Sequence, residues 1–133
     1  MEEPDLETSL ALALAPDDSV VTAWLFGSQA RGTARPGSDV DVALLFTGEP
    51  ERWPAKRWEL EARLSTLLRR AVEVVPIERA PADLVRRVLR DGHLLLDRDP
   101  VRRVAFEVRK RNEYFDMTPI WRLIRRLPHG VAP

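Results

Sequence analysis

Trp24-Leu25-Phe26-Gly27-Ser28-Gln29-Ala30-Arg31-Gly32, a polar linker over Thr33 to Ser38, and then Asp39-Val40-Asp41-Val42-Ala43-Leu44-Leu45-Phe46 decide how this chain folds. An apolar run of strand length stops at a glycine and a hydroxyl. A second strand then opens on two carboxylates. Residues i and i+2 of a strand point to one face, so Asp39 and Asp41 present their carboxylates side by side. Like charges that close repel unless a cation lies between them. Mg²⁺ suits such a place, because it takes carboxylate, phosphate and water oxygens together. At the other end, Gly27 lets a triphosphate approach the backbone with no Cβ in the way. Ser28 adds a hydroxyl donor, and the amides that open a short helix over 28–31 face phosphate oxygens.

Outward from this stretch, strands and helices alternate. Leu6, Leu10, Ala13 and Leu14 recur at helical spacing and predict an opening helix that ends near Ala15. Val20 to Phe26 and Val40 to Phe46 are the two strands, the second apolar enough after its acids to be buried on both faces. Pro54 starts a helix whose inward residues are Leu60, Leu64, Leu67 and Leu68. Ala71 to Val75 is a third strand, and Pro81 opens a helix that carries Leu84, Val85, Val88 and Leu89 to a stop at Gly92. Leu94-Leu95-Leu96 is a fourth strand candidate. Asp99-Pro100 caps a helix built on Val101, Val104, Ala105 and Val108. Thr118-Pro119 repeats the cap for a last helix with Ile120, Leu123, Ile124 and Leu127 inward. The expectation is a single small α/β domain over 1–133, with a core of about 6–97 and a helical C-terminal arm of about 100–127.

Glu73 stands alone as an acid inside Val72-Glu73-Val74-Val75 and needs a partner, solvent or a metal. As a third carboxylate beside Asp39 and Asp41 it completes a site for two metals roughly 3.5–4 Å apart. In that mechanism one metal holds the nucleotide's β- and γ-phosphates. The other activates the acceptor hydroxyl and braces the α-phosphate, and Glu73, or whichever acid binds that second metal, can take the hydroxyl's proton. Asp-x-Asp alone is weak evidence, as Asp97-Arg98-Asp99 shows: the same spacing before Pro100 reads as a turn and cap.

Composition removes other chemistries. The chain has 133 residues, no cysteine and two histidines, so disulfides, thiol nucleophiles and Cys- or His-cluster metal sites are excluded. Twenty-one basic and 21 acidic residues cancel, which gives no global field for a polyanion and weighs against nucleic acid as partner. The acidic start Met1-Glu2-Glu3-Pro4-Asp5 does not read as a secretory signal, and no apolar run approaches membrane length; a soluble cytoplasmic protein is expected. The segment from Val101 to Arg126 is basic, and Arg102, Arg103, Arg109, Lys110 and Arg111 read as a solvated helix face or as a surface that steers an acidic partner. Trp53, Trp58, Tyr114, Phe115 and Trp121 read as core or as partner anchors.

Gly27-Ser28-Gln29-Ala30-Arg31-Gly32 followed by Ser38-Asp39-Val40-Asp41 resembles the signature of the polymerase-β-type nucleotidyltransferase superfamily. Within it the chain is similar to the minimal nucleotidyltransferases of prokaryotes. The resemblance extends to Val72-Glu73-Val74-Val75, where the family places its third metal carboxylate, usually Asp; Glu73 is a departure with a longer reach. Arg111-Asn112-Glu113-Tyr114-Phe115-Asp116-Met117 resembles the tail of the adenylyltransferase antitoxins of HEPN/MNT toxin–antitoxin pairs. The resemblance implies a nucleotidyltransferase fold, α/β (α+β), with a small mixed sheet flanked by helices. It implies transfer of AMP from ATP, with Mg²⁺, to a tyrosine hydroxyl near the RNase site of a cognate HEPN-type toxin. Asp39, Asp41 and Glu73 would then be the catalytic metal ligands, and Gly27 and Ser28 would hold the triphosphate. Arg31 matches the motif and either reaches a phosphate or pins the turn through a carboxylate. Competing readings are a nucleotidyltransferase acting on a small hydroxyl compound such as an aminoglycoside, an antitoxin that binds without catalysis, and a nucleic-acid binder.

Overall fold

Strand β2 (Val40–Phe46) is apolar after Asp41 and is buried from Val42 to Phe46, so it must lie inside a sheet with both faces covered. The computed structural model describes residues 5–126, with side chains described from 5 to 113. β2 is an inner strand of a four-stranded sheet of order β3-β2-β1-β4. β1 (Val20–Phe26) runs antiparallel to β2 and to β4 (His93–Asp97), while β3 (Val72–Pro76) runs parallel to β2. A parallel pair needs a crossover, and helix α3 (Trp53–Leu68) supplies it. The sheet is therefore mixed, as expected.

Helices cover each face. α1 (Leu6–Leu14) and α3 bury Leu10, Leu14, Leu60 and Leu64 against Ala23, Leu25, Val42, Leu44 and Val74. On the other face, α4 (Ala82–Asp91) and α5 (Pro100–Arg126) bury Val85, Val88 and Phe106 against Trp24, Ala43 and Leu45. The four-residue α2 (Ser28–Arg31) follows β1 directly. Asp5 caps α1 by accepting from the Thr8 N–H at 2.7 Å, and Asp99 caps α5 by accepting from the Arg102 N–H at 3.1 Å. β3 is an edge strand, and α3 side chains meet its outward amides. Val72 N–H donates to Ser65 Oγ at 3.1 Å and Val74 N–H to Glu61 Oε2 at 3.2 Å.

Some expectations change. Leu67 is exposed, because the buried stripe of α3 is centred on Leu60 and Leu64. Val101, Val104 and Val108 are also exposed, and α5 docks instead through Phe106, whose ring lies 6.4 Å from that of Trp24. That rotation turns Arg102 and Arg103 toward the body of the molecule and away from a solvated face. Arg102 donates to Phe46 O and to Glu78 Oε1, both at 2.8 Å, and Arg103 donates to Asp97 Oδ2 at 2.8 Å. Trp53 is buried and donates to Thr47 O at 3.2 Å, whereas Trp58 is exposed. α5 continues through Thr118-Pro119, where a new helix was expected. Proline's fixed φ is itself helical, so the backbone can run on at the loss of one hydrogen bond. The side chains of Tyr114, Phe115, Ile120, Trp121, Leu123, Ile124 and Leu127 lie outside the described residues. Among the described residues no helix is long and apolar enough to cross a membrane.

The face assignments make a direct prediction. Leu44→Ala, at a site with no solvent exposure, should lower the unfolding free energy in urea by about 3 kcal/mol. Leu67→Ala, on the solvent side of α3, should cost no more than about 0.5 kcal/mol. Equal losses would contradict these face assignments.

Candidate active site

Backbone register builds the site. Phe26 pairs with Asp41 across β1 and β2, and Asp41 pairs with Glu73 across β2 and β3. The three side chains thus form one row across the sheet, at the end where β1 stops and β2 and β3 begin. Asp39 sits two residues before Asp41, just ahead of β2, and is exposed. The linker that delivers it is tied down: Ser38 O accepts from Gln29 Nε2 at 3.3 Å and from an Arg70 guanidinium nitrogen at 2.9 Å. Ser38 Oγ accepts from the Arg35 N–H at 2.8 Å, which closes the turn at Pro36-Gly37.

Gly27 leaves β1 with φ 74° and ψ −155°, a conformation open to glycine alone. A Cβ at this position would overlap Asp41 Oδ2. Glycine is therefore required twice, by the backbone and by the carboxylate beneath it.

Gly27, Arg31, Asp41 and Glu73 line a single cleft of about 260 Å³, together with Phe26, Val75 and three residues of α4, namely Leu84, Arg87 and Asp91. Ser28 and Asp39 are not among its walls. Asp39 nonetheless acts on Asp41 through its charge. The Asp41 carboxyl is pushed up to about 6, first by burial, then by the Glu73 charge and hydrogen bond, then by Asp39, with Arg31 opposing. Such a shift marks a carboxyl that is partly buried and has other negative groups beside it. That donor set fits a hard cation. As placed, however, no group of three or more His, Cys, Asp or Glu among the described residues converges tightly enough to hold an ion; Asp41 and Glu73 touch while Asp39 stands off.

Arg31 exerts its charge on Asp41 and on Asp91. Asp91 is held below the usual carboxylate range mainly by Arg90, which donates to it at 2.9 and 3.0 Å. The α4 contribution was not foreseen from the sequence. Leu84, Arg87 and Asp91 recur at i, i+3 and i+7, one helical stripe, but Arg86, Arg87 and Arg90 together read as a solvent face until the helix is docked.

The profile described as Polymerase beta, Nucleotidyltransferase matches residues 9–101. The chain is 33% identical over 72 residues to the protein adenylyltransferase MntA of Shewanella oneidensis. That match covers 54% of this chain and 50% of the relative, so the chain spans about half the length of the curated protein it matches. Among solved structures, a toxin–antitoxin crystal structure with AMP-PNP superimposes with a TM-score of 0.72 at 25% identity, covering 90% of this chain and 95% of the other. A chain from the complex of tri-AMPylated Shewanella oneidensis HEPN toxin with MNT antitoxin shares the fold, with a TM-score of 0.64 at 24% identity over 90% of this chain and 92% of its own.

Two measurements probe this geometry. Gly27→Ala should destabilise the protein by about 2 kcal/mol or more, since strain at φ above zero adds to the overlap with Asp41. In an Asp41→Ala background the same change should cost distinctly less, and a double-mutant cycle with no coupling would rule the contact out. The second concerns charge. A carboxyl whose folded pKa of about 6 lies above its ordinary 3.8 leaves stability complete below pH 3.8 and erodes it as pH rises through 6. Asp41→Asn should therefore be more stable than the parent at pH 8 in chelator, by about 1 kcal/mol after allowance for solvent screening. The advantage should vanish below pH 4, and a gap independent of pH would show that Asp41 ionises freely.

Proposed function

The chain belongs to the Polymerase beta nucleotidyltransferase family, and from that premise we propose that it is a Mg²⁺-dependent adenylyltransferase antitoxin: a single minimal nucleotidyltransferase domain that moves AMP from ATP onto a hydroxyl, a tyrosine, of a cognate HEPN-type toxin. The row Phe26–Asp41–Glu73 beside the Gly27 turn carries this reading, since it puts clustered carboxylates and a side-chain-free phosphate approach into one cleft. The relatives support the choice of nucleotide and acceptor: one is a protein adenylyltransferase, one a toxin–antitoxin structure with AMP-PNP, and one a complex with an AMPylated HEPN toxin.

In this reading Asp39, Asp41 and Glu73 would hold Mg²⁺, which when bound would supply charge neutralisation for the triphosphate and the developing oxyanion. Gly27 and Ser28 receive the β- and γ-phosphates, and Arg31 balances the added negative charge at the rim. The acceptor hydroxyl attacks the α-phosphorus in line with the departing pyrophosphate. Its proton passes to Glu73, an exposed carboxylate within reach of solvent. The bond from the α-phosphorus to the bridging oxygen breaks as the new phosphodiester forms.

The test uses purified protein, Mg²⁺, ATP labelled at the α-phosphate and a cognate HEPN-type toxin. Label should pass to the toxin with the parent chain, and Asp39→Ala/Asp41→Ala should reduce transfer by on the order of 10²–10³-fold or more. Inhibition of an unlabelled toxin by both versions would replace this reading with that of an antitoxin that acts by binding.

A further inference from the structure

Helix α4 sends its arginines in two directions. Arg86 and Arg90 line a hollow shared with Lys110 and Arg111 of α5. Arg87 lies about 100° further round the helix than Arg86 and lines the cleft that Asp41 and Glu73 also line. It is exposed and makes no hydrogen bond or ion pair among the described residues. Two carboxylates lie within helical reach, Asp83 one turn before and Asp91 one turn after. Neither pairs with it, and Asp91 is taken by Arg90 through two bonds. Arg31, the other cation of the cleft, already acts on Asp41 and Asp91. Arg87 is thus the cleft's uncommitted guanidinium, a planar fork of donors suited to phosphate oxygens. α4 ends against β1, since a Cβ at Gly92 would stand 3.3 Å from Leu25 O. Arg87 sits one turn ahead of that end, on the wall of the cleft that Gly27 also lines, where a triphosphate approaches the backbone.

We propose that Arg87 binds the β- and γ-phosphate oxygens of the nucleotide and holds the triphosphate in register with the carboxylate row. This rests on the nucleotidyltransferase reading and adds a residue to it that the signature motif does not contain. Arg87 takes no part in bond making; it sets where the pyrophosphate lies as it leaves.

The test is equilibrium binding of ATP with Mg²⁺ by calorimetry, which needs no acceptor protein. Arg87→Ala should weaken ATP binding roughly 10- to 100-fold, the worth of a hydrogen-bonded ion pair with phosphate. Arg87→Lys, which keeps the charge and loses the fork, should fall between. Because the side chain is exposed and unpaired, both variants should melt with the parent. In turnover, KM for ATP should rise far more than kcat falls. Parent-like ATP affinity in Arg87→Ala would overturn the proposal, and so would a rise confined to KM for the acceptor, which would move Arg87 to the other substrate. A parent chain that binds no ATP would remove the nucleotidyltransferase reading itself, and this inference with it.

Discussion

Asp41 and Glu73 are held side by side by backbone pairing, and their repulsion sets the terms for what surrounds them. Two acids at matched positions on neighbouring parallel strands cannot move apart without breaking the ladder between β2 and β3. The energy that keeps them together comes from elsewhere in the molecule, from Val42 to Phe46 and the helices packed on both faces. The fold is therefore a frame that tolerates a locally unfavourable charge arrangement. Such strain concentrated at one point of an otherwise consistent structure is the usual mark of function.

The same economy governs the connections. The 33–38 linker has no partner in the sheet, yet its last carbonyl is gripped by Gln29 from α2 and by Arg70, just past the end of α3. Asp39 thereby enters the site from a fixed point. On the far side, Thr22 donates to Asp97 at 3.4 Å, and Arg103 reaches the same carboxylate from α5. That link fastens α5 to β4 and, with the bonds of Arg102 to Phe46 O and Glu78, fixes the roll that seats Phe106 beside Trp24.

The strands and the Gly27-to-Asp41 motif that joins two of them were legible because their signals are local. A period of two, a glycine at a strand end and a pair of acids can be read within a dozen residues. Helix faces were less legible. Val101, Val104 and Val108 make a fair apolar stripe, but which side of α5 turns inward depends on Arg102 finding Phe46 O and Glu78, partners far away in sequence. Arg87 was hidden for a similar reason: among three arginines of one helix, docking against β1 alone selects the one that meets the cleft. Asp39 and Ser28 show the converse. Both belong to the motif as read, yet neither lines the cleft as it stands; for Asp39 the reason is that a strand's shared-face rule holds strictly only once the strand has begun, and Asp39 precedes it.

The strand that presents Glu73 is also one of the two outer strands of the sheet. An outer strand with bare amides invites a neighbouring chain to add to it, the first step in fibrous growth. Here Glu61 and Ser65 already occupy the amides of Val74 and Val72, so α3 acts as a seal along that border. The border of the sheet nearest the site can thus face a crowded solution, or a partner's exposed backbone, without recruiting it as a fifth strand.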